Sequence, residues 1–191
     1  EWGAQRIKGL SVAKAVAQSI GDHAVLTFEP TDSLIGAAVR KGAGKEISPY
    51  TDALLFMADR AQHTFEIADK VRQGKLVVSD RYYHSTVAYQ TAALRVAGKG
   101  DNFDWLLEAN GRISLRPDIT FIVFVDPEVA LERVGKRGEL SRFERLEFLR
   151  EVQANYDRLA RIEDTAVRLD GNAPLEKVIS IVLEKVEEAK L

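Results

Sequence analysis

Short apolar runs rich in β-branched residues alternate with longer stretches of helical periodicity along almost the whole chain, and no other feature restricts the fold as strongly. The runs at residues 24–28 (AVLTF), 75–79 (KLVVS), 118–125 (DITFIVFV) and 166–170 (AVRLD) read as strands. Helices are expected over residues 13–20, 33–40, 50–72, 85–96, 103–113, 128–136, 145–162 and 174–189, the last opened by Pro174. Strands separated by helices of this length predict a mostly parallel sheet with helices on both faces, an α/β fold. In such sheets ligands bind beyond the carboxyl ends of the strands. That rim carries Glu29-Pro30-Thr31-Asp32, Asp80-Arg81 and Asp126-Pro127.

Composition narrows the function classes. The chain has 191 residues, 46% of them hydrophobic, enough for one sizeable core; a single domain over residues 1–191 is expected. A formal charge of −2 offers no global field for nucleic acid or an anionic membrane, so neither is expected as a partner. No apolar run approaches the ~20 residues of a membrane span and no signal peptide is recognisable, so a cytoplasmic protein is expected. Cysteine is absent, which excludes disulfides, thiolate metal sites and cysteine nucleophiles.

Three stretches carry side chains suited to nucleotide chemistry. In ALLFMADRAQH (residues 53–63), Phe56 and Arg60 share one helix face, so a flat ring and a planar fork could meet one heterocycle. The alternative is a core Phe, with Arg60 paired to Asp59 or Glu66. In VVSDRYYHSTVAYQ (residues 77–90), Arg81 could take a phosphate bidentately and Asp80 could hold hydrated Mg2+. Ser85, Thr86, Tyr89 and Gln90 follow at helical spacing; the alternative is an Asp-Arg turn and a helix capped by Ser85. His84 is assigned no role. In ERVGKRGELSRFE (residues 132–144), Arg133, Lys136, Arg137 and Arg142 surround a glycine, either as a solvated charge run or as mobile cations over a transferring phosphoryl group.

Taken together these stretches resemble thymidylate kinases. The resemblance runs from about Leu26 to the C-terminus and rests on EPTDSLIG (29–36), LLFMADRAQH (54–63), VVSDRYYHSTVAYQ, RPDITFIVFVDPEVALERV (116–134) and KRGELSRFE, in family order and spacing. It implies a three-layer P-loop kinase-type fold with a short lid at about residues 135–144, and phosphorylation of dTMP to dTDP by MgATP for dTTP synthesis. It implies that Phe56 stacks on thymine, that Arg60 bonds a base carbonyl and that Arg81 grips the phosphate, with Asp80 near the magnesium. Glu29, Ser85, Thr86 and Gln90 would belong to the substrate pocket, and Tyr89 would exclude a 2′-hydroxyl. Arg137 and Arg142 would act in the lid with Arg133 nearby, Asn172 would flank the adenine, and the protein would be a homodimer.

The resemblance weakens before residue 26. The family's first strand and its loop of the form E-G-x-D-G-x-G-K-[ST]-[ST] have no match in EWGAQRIKGLSVAKAV. Lys8 lies near the lysine position and Ser11 stands where a family hydroxyl stands, but Ile7 falls where the second glycine belongs. Phe28 and Phe124 also replace the Arg and Asp of many relatives. A second function therefore stands beside the kinase: an impaired nucleotide-binding relative that keeps the dTMP pocket without a working phosphate loop. A third is a kinase for a similar monophosphate such as dUMP, since one methyl in a pocket is worth only ~1–3 kcal/mol.

Overall fold

Strands β1 (Ala24–Phe28) and β2 (Leu76–Asp80) pair in parallel, with Ala24 opposite Leu76 and Phe28 opposite Asp80. They belong to a unit spanning Asp22–Arg116. The computed structural model describes the backbone of residues 3–42, 47–134 and 142–189, and the side chains of those residues except 3–9, 132–134 and 142–145. After β1 come α2 (Leu34–Gly42) and the long α3 (Pro49–Arg72); after β2 come α4 (Tyr83–Val96) and α5 (Phe103–Ile113).

Local sequence explains where these helices begin. Ser33 turns its hydroxyl onto the Gly36 N–H at 3.0 Å, capping α2, and Pro49 opens α3, where its missing N–H costs nothing. The α4 cap is Tyr82 with no side-chain bond, so Ser85 lies inside the helix rather than capping it. Helix α3 packs on α2, α4, α5 and β2. Val87, Ala88, Ala92, Leu94, Phe103 and Leu106 are buried around α4 and α5, each large apolar side chain contributing ~1.5–3 kcal/mol.

The other unit comprises Glu1–Gly21 and Pro117–Leu191. Its strands β3 (Thr120–Phe124) and β4 (Ala166–Asp170) are also parallel, with Thr120 opposite Ala166 and Phe124 opposite Asp170. Around them lie α1 (Gly3–Ile20), α6 (Pro127–Val134), α7 (Arg142–Ile162) and α8 (Leu175–Glu188). Buried Val12 and Val16, one turn apart, form an apolar stripe on α1, which packs on α6 and α8. Gly171 follows β4 at a close approach: a Cβ there would meet the side chains of Val123 and Val125 and the Phe124 carbonyl.

The expected parallel pairing is present, as two two-stranded ladders among the described residues. The largest shift in an element boundary is at α1, which begins at Gly3 instead of residue 13; no proline interrupts residues 3–12, and Ala4, Gln5, Arg6, Lys8 and Leu10 favour helix despite Gly9. No described helix is long and apolar enough to cross a membrane.

Candidate active site

The Asp22–Arg116 unit holds nine of the residues singled out in sequence: Glu29, Phe56, Arg60, Asp80, Arg81, Ser85, Thr86, Tyr89 and Gln90. Parallel pairing of β1 with β2 sets the exits of both strands side by side, and the Glu29 N–H donates to the Asp80 carbonyl at 3.2 Å. Helix α3 crosses the same region with Arg60 1% exposed.

Arg60 is held on several sides. Nη1 donates to Thr86 Oγ1 at 2.9 Å and to Asn110 Oδ1 at 2.7 Å, while Nη2 donates to Glu29 Oε2. Its Cζ lies 5.7 Å from the centre of the Tyr82 ring. Neither Asp59 nor Glu66 pairs with it. Glu66 accepts from Gln62 on the same helix, and Asp59 serves the loop after β1. The Asp59 carboxylate accepts from the Thr31 N–H at 2.7 Å, the Thr31 hydroxyl at 2.6 Å and the Ser33 hydroxyl at 3.1 Å. Adjacent residues of α3 therefore hold the two ends of the 29–33 segment. Arg60 Nε is buried with no hydrogen-bond partner, a donor left unsatisfied at a cost of ~1–3 kcal/mol.

Glu29 has a second buried partner that sequence reasoning did not single out. His63 Nδ1 lies 3.0 Å from Glu29 Oε1, and its Nε2 lies 2.6 Å from Thr27 Oγ1. Asn110 was missed as well; its amide nitrogen donates to the Leu106 carbonyl at 2.7 Å, turning Oδ1 toward Arg60. His63 lies within the ADRAQH stretch, three residues after Arg60, which is the only local signal that could have marked it.

The β2 exit is compact. Asp80 is 9% exposed, and Arg81 takes φ 73°, the left-handed region that non-glycine residues seldom occupy. Its Cζ sits 5.6 Å from the centre of the Tyr89 ring, and Tyr89 is itself buried. Thr86 and Gln90 are buried on α4, whereas Ser85 and Phe56 are half-buried. Gln90 donates its amide to Asp52 Oδ2 at 2.9 Å. Burial raises the Asp52 pKa above 3.8, and the Gln90 bond opposes that rise.

Candidates on the ATP side belong to the other unit. Ser11 lies on α1, which is helical from Gly3, so the amides of residues 7–11 fall in the ladder of a helix rather than in a phosphate cradle. The side chain of Lys8 lies outside the described residues, as do those of Arg133 and Arg142; Arg137 and most of the expected lid lie outside them entirely. Asn172 is exposed after β4, its N–H donating to Asp170 Oδ1 at 2.8 Å. Phe124 carries Arg168 over its ring, 3.7 Å from Cζ to the centroid, and Arg168 pairs with Asp157 at 2.6 Å.

Known proteins resemble the chain over most of its length. A family model described as thymidylate kinase matches residues 11–181. The chain belongs to the thymidylate kinase family. A "Probable thymidylate kinase" of Archaeoglobus fulgidus is 39% identical over 160 residues, 83% of this chain and 77% of that protein. Similar proteins of the same name occur in Methanosarcina mazei (38% over 168 residues, 86% of this chain and 81% of the relative) and Methanospirillum hungatei (37% over 177 residues, 91% and 85%). The α/β kinase-type fold and the phosphotransferase class read from the sequence are those of the thymidylate kinase family.

Proposed function

We propose that this chain transfers the γ-phosphoryl group of MgATP to dTMP, giving dTDP and ADP. The observation that carries the reading is the unpartnered Nε–H of Arg60, a buried donor on α3 one turn from half-buried Phe56. A pyrimidine carbonyl supplies the acceptor that this group lacks, and the Phe56 ring supplies the stacking face. The family membership supplies the reaction.

Arg81 binds the substrate phosphate and fixes the acceptor oxygen. Phosphoryl transfer depends on such positioning and on charge stabilisation more than on covalent chemistry. Tyr89 lies under the sugar and disfavours a ribose, while Ser85, Thr86 and Gln90 line the base and sugar. Asp80, a carboxylate at the end of β2, would hold through water a magnesium ion carried mainly by the donor phosphates. When bound, that ion neutralises charge on the donor phosphates. Arg133, Arg137, Arg142, Lys8, Ser11 and Asn172 are the proposed ATP-side residues. With α1 helical through Ser11, phosphate contacts there come from side chains rather than a run of backbone amides.

The protein acts as a single-domain cytoplasmic homodimer. Leu54 and Phe65 on α3 are 54% and 68% exposed, three helical turns apart on one face, which supports pairing through that helix. Calorimetry with dTMP and thymidine, each without ATP, tests the pocket; dTMP should bind much more tightly because of the charge-assisted phosphate contact. Equal affinities, or no ADP formed from ATP and dTMP, would sink the reading.

A further inference from the structure

We propose that His63 is a positioning residue for base recognition, fixing Glu29 so that the Arg60 Nε–H stays available to substrate. This rests on the reading of Arg60 as the donor to the base. Arg60 is always charged, and Glu29 meets it through Oε2 as the carboxylate of a buried ion pair. An ionised carboxylate only accepts, so His63 Nδ1, 3.0 Å from Oε1, carries the hydrogen. Nε2 is then the acceptor, and the Thr27 hydroxyl donates to it across 2.6 Å. A hydrogen on both ring nitrogens would leave two cations sharing one carboxylate, with all three side chains no more than 3% exposed, an expensive imbalance.

The arrangement divides the carboxylate between two partners. Arginine and carboxylate prefer a bidentate fork in which two parallel N–H groups meet both oxygens. Here His63 occupies Oε1, so Glu29 meets Arg60 through Oε2 and Nε remains without a partner. Without His63, Glu29 can turn both oxygens to Arg60 and take up the Nε–H. The far end of the relay is Thr27 on β1, a rigid strand.

The test measures kcat and KM for dTMP in the full chain and in His63→Leu, His63→Gln and Thr27→Val. His63→Leu should raise KM for dTMP about tenfold or more with kcat little changed, because a contact remote from the transferring group is lost equally from ground and transition states. His63→Gln can still donate to Glu29 and accept from Thr27, so it should restore most of the parental KM. Thr27→Val should raise KM about two- to tenfold, and it decides the matter if His63→Leu does not fold. Merely structural damage would instead lower kcat through a smaller active fraction and leave KM alone, which would overturn the proposal. In 15N-histidine spectra of the parent, His63 should show a protonated Nδ1 and a bare Nε2; the reverse tautomer would also overturn it. A parent without dTMP turnover overturns the function above, whereas a working parent whose His63→Leu and Thr27→Val variants keep its KM overturns the role of His63 alone.

Discussion

Arg60 and Glu29, 31 residues apart in sequence, form a buried ion pair with side chains 1% and 3% exposed. Arg60 is buried among acceptors from the segment after β1, from α4 and from α5, and only its Nε lacks a partner. A side chain held this firmly presents its remaining donor at a defined position, which suits recognition of a rigid planar base.

Breaking that pair on one side should be costly. Glu29→Gln leaves a buried guanidinium without its counter-charge and should lower folding stability by about 3–5 kcal/mol. Urea denaturation of parent and variant measures it. A loss below about 1 kcal/mol would mean that Thr86 and Asn110 alone satisfy Arg60.

Arg81 offers a separation of stability from binding. At φ 73° a side chain is strained relative to glycine, so Arg81→Gly should be more stable than Arg81→Ala by about 1 kcal/mol. Both should bind dTMP no better than thymidine. Thermal denaturation and calorimetry on the two variants read these effects independently.

Tyr89 should set the choice of sugar. Tyr89→Phe keeps the ring and should keep the preference for deoxyribose, whereas Tyr89→Ala should admit the ribose form of the substrate. The ratio of kcat/KM for the two sugars is the measurement. An unchanged ratio in the Ala variant would remove Tyr89 from the role.

Asp52 gives a pH dependence of known sign. Its pKa is raised above 3.8, chiefly by burial, so the folded state binds the proton more tightly than the unfolded chain does. The resulting stability is complete below 3.8 and is lost as pH rises through the raised value. Asp52→Asn, which can still accept from Gln90, should therefore be more stable than the parent near neutral pH, with the gap closing as pH falls toward 3.8. Denaturation midpoints across that range test this; a gap that widens on acidification would contradict it.

Periodicity and punctuation determined most of the elements. Residues 103–113 and 166–170 were legible to the residue, because an amphipathic helix and a short apolar run between turn-formers carry their own signals. The places of Glu29, Asp80 and Arg81 at strand ends were legible as well, since each follows an apolar run closed by turn-formers. Tertiary structure decided the partners. Arg60 could have paired with Asp59 or Glu66 of its own helix, but the fold brought Glu29, Thr86 and Asn110 to it from 31, 26 and 50 residues away. Asp59 was likewise claimed by Thr31 and Ser33 rather than by its neighbour. Such choices depend on which buried polar groups must satisfy one another once strands and helices have packed, and only the folded chain specifies that set. The same reason explains why His63 looked like an ordinary helix residue in the sequence: its two bonds exist only once the fold has brought Thr27 on β1, and Glu29 just beyond it, to α3.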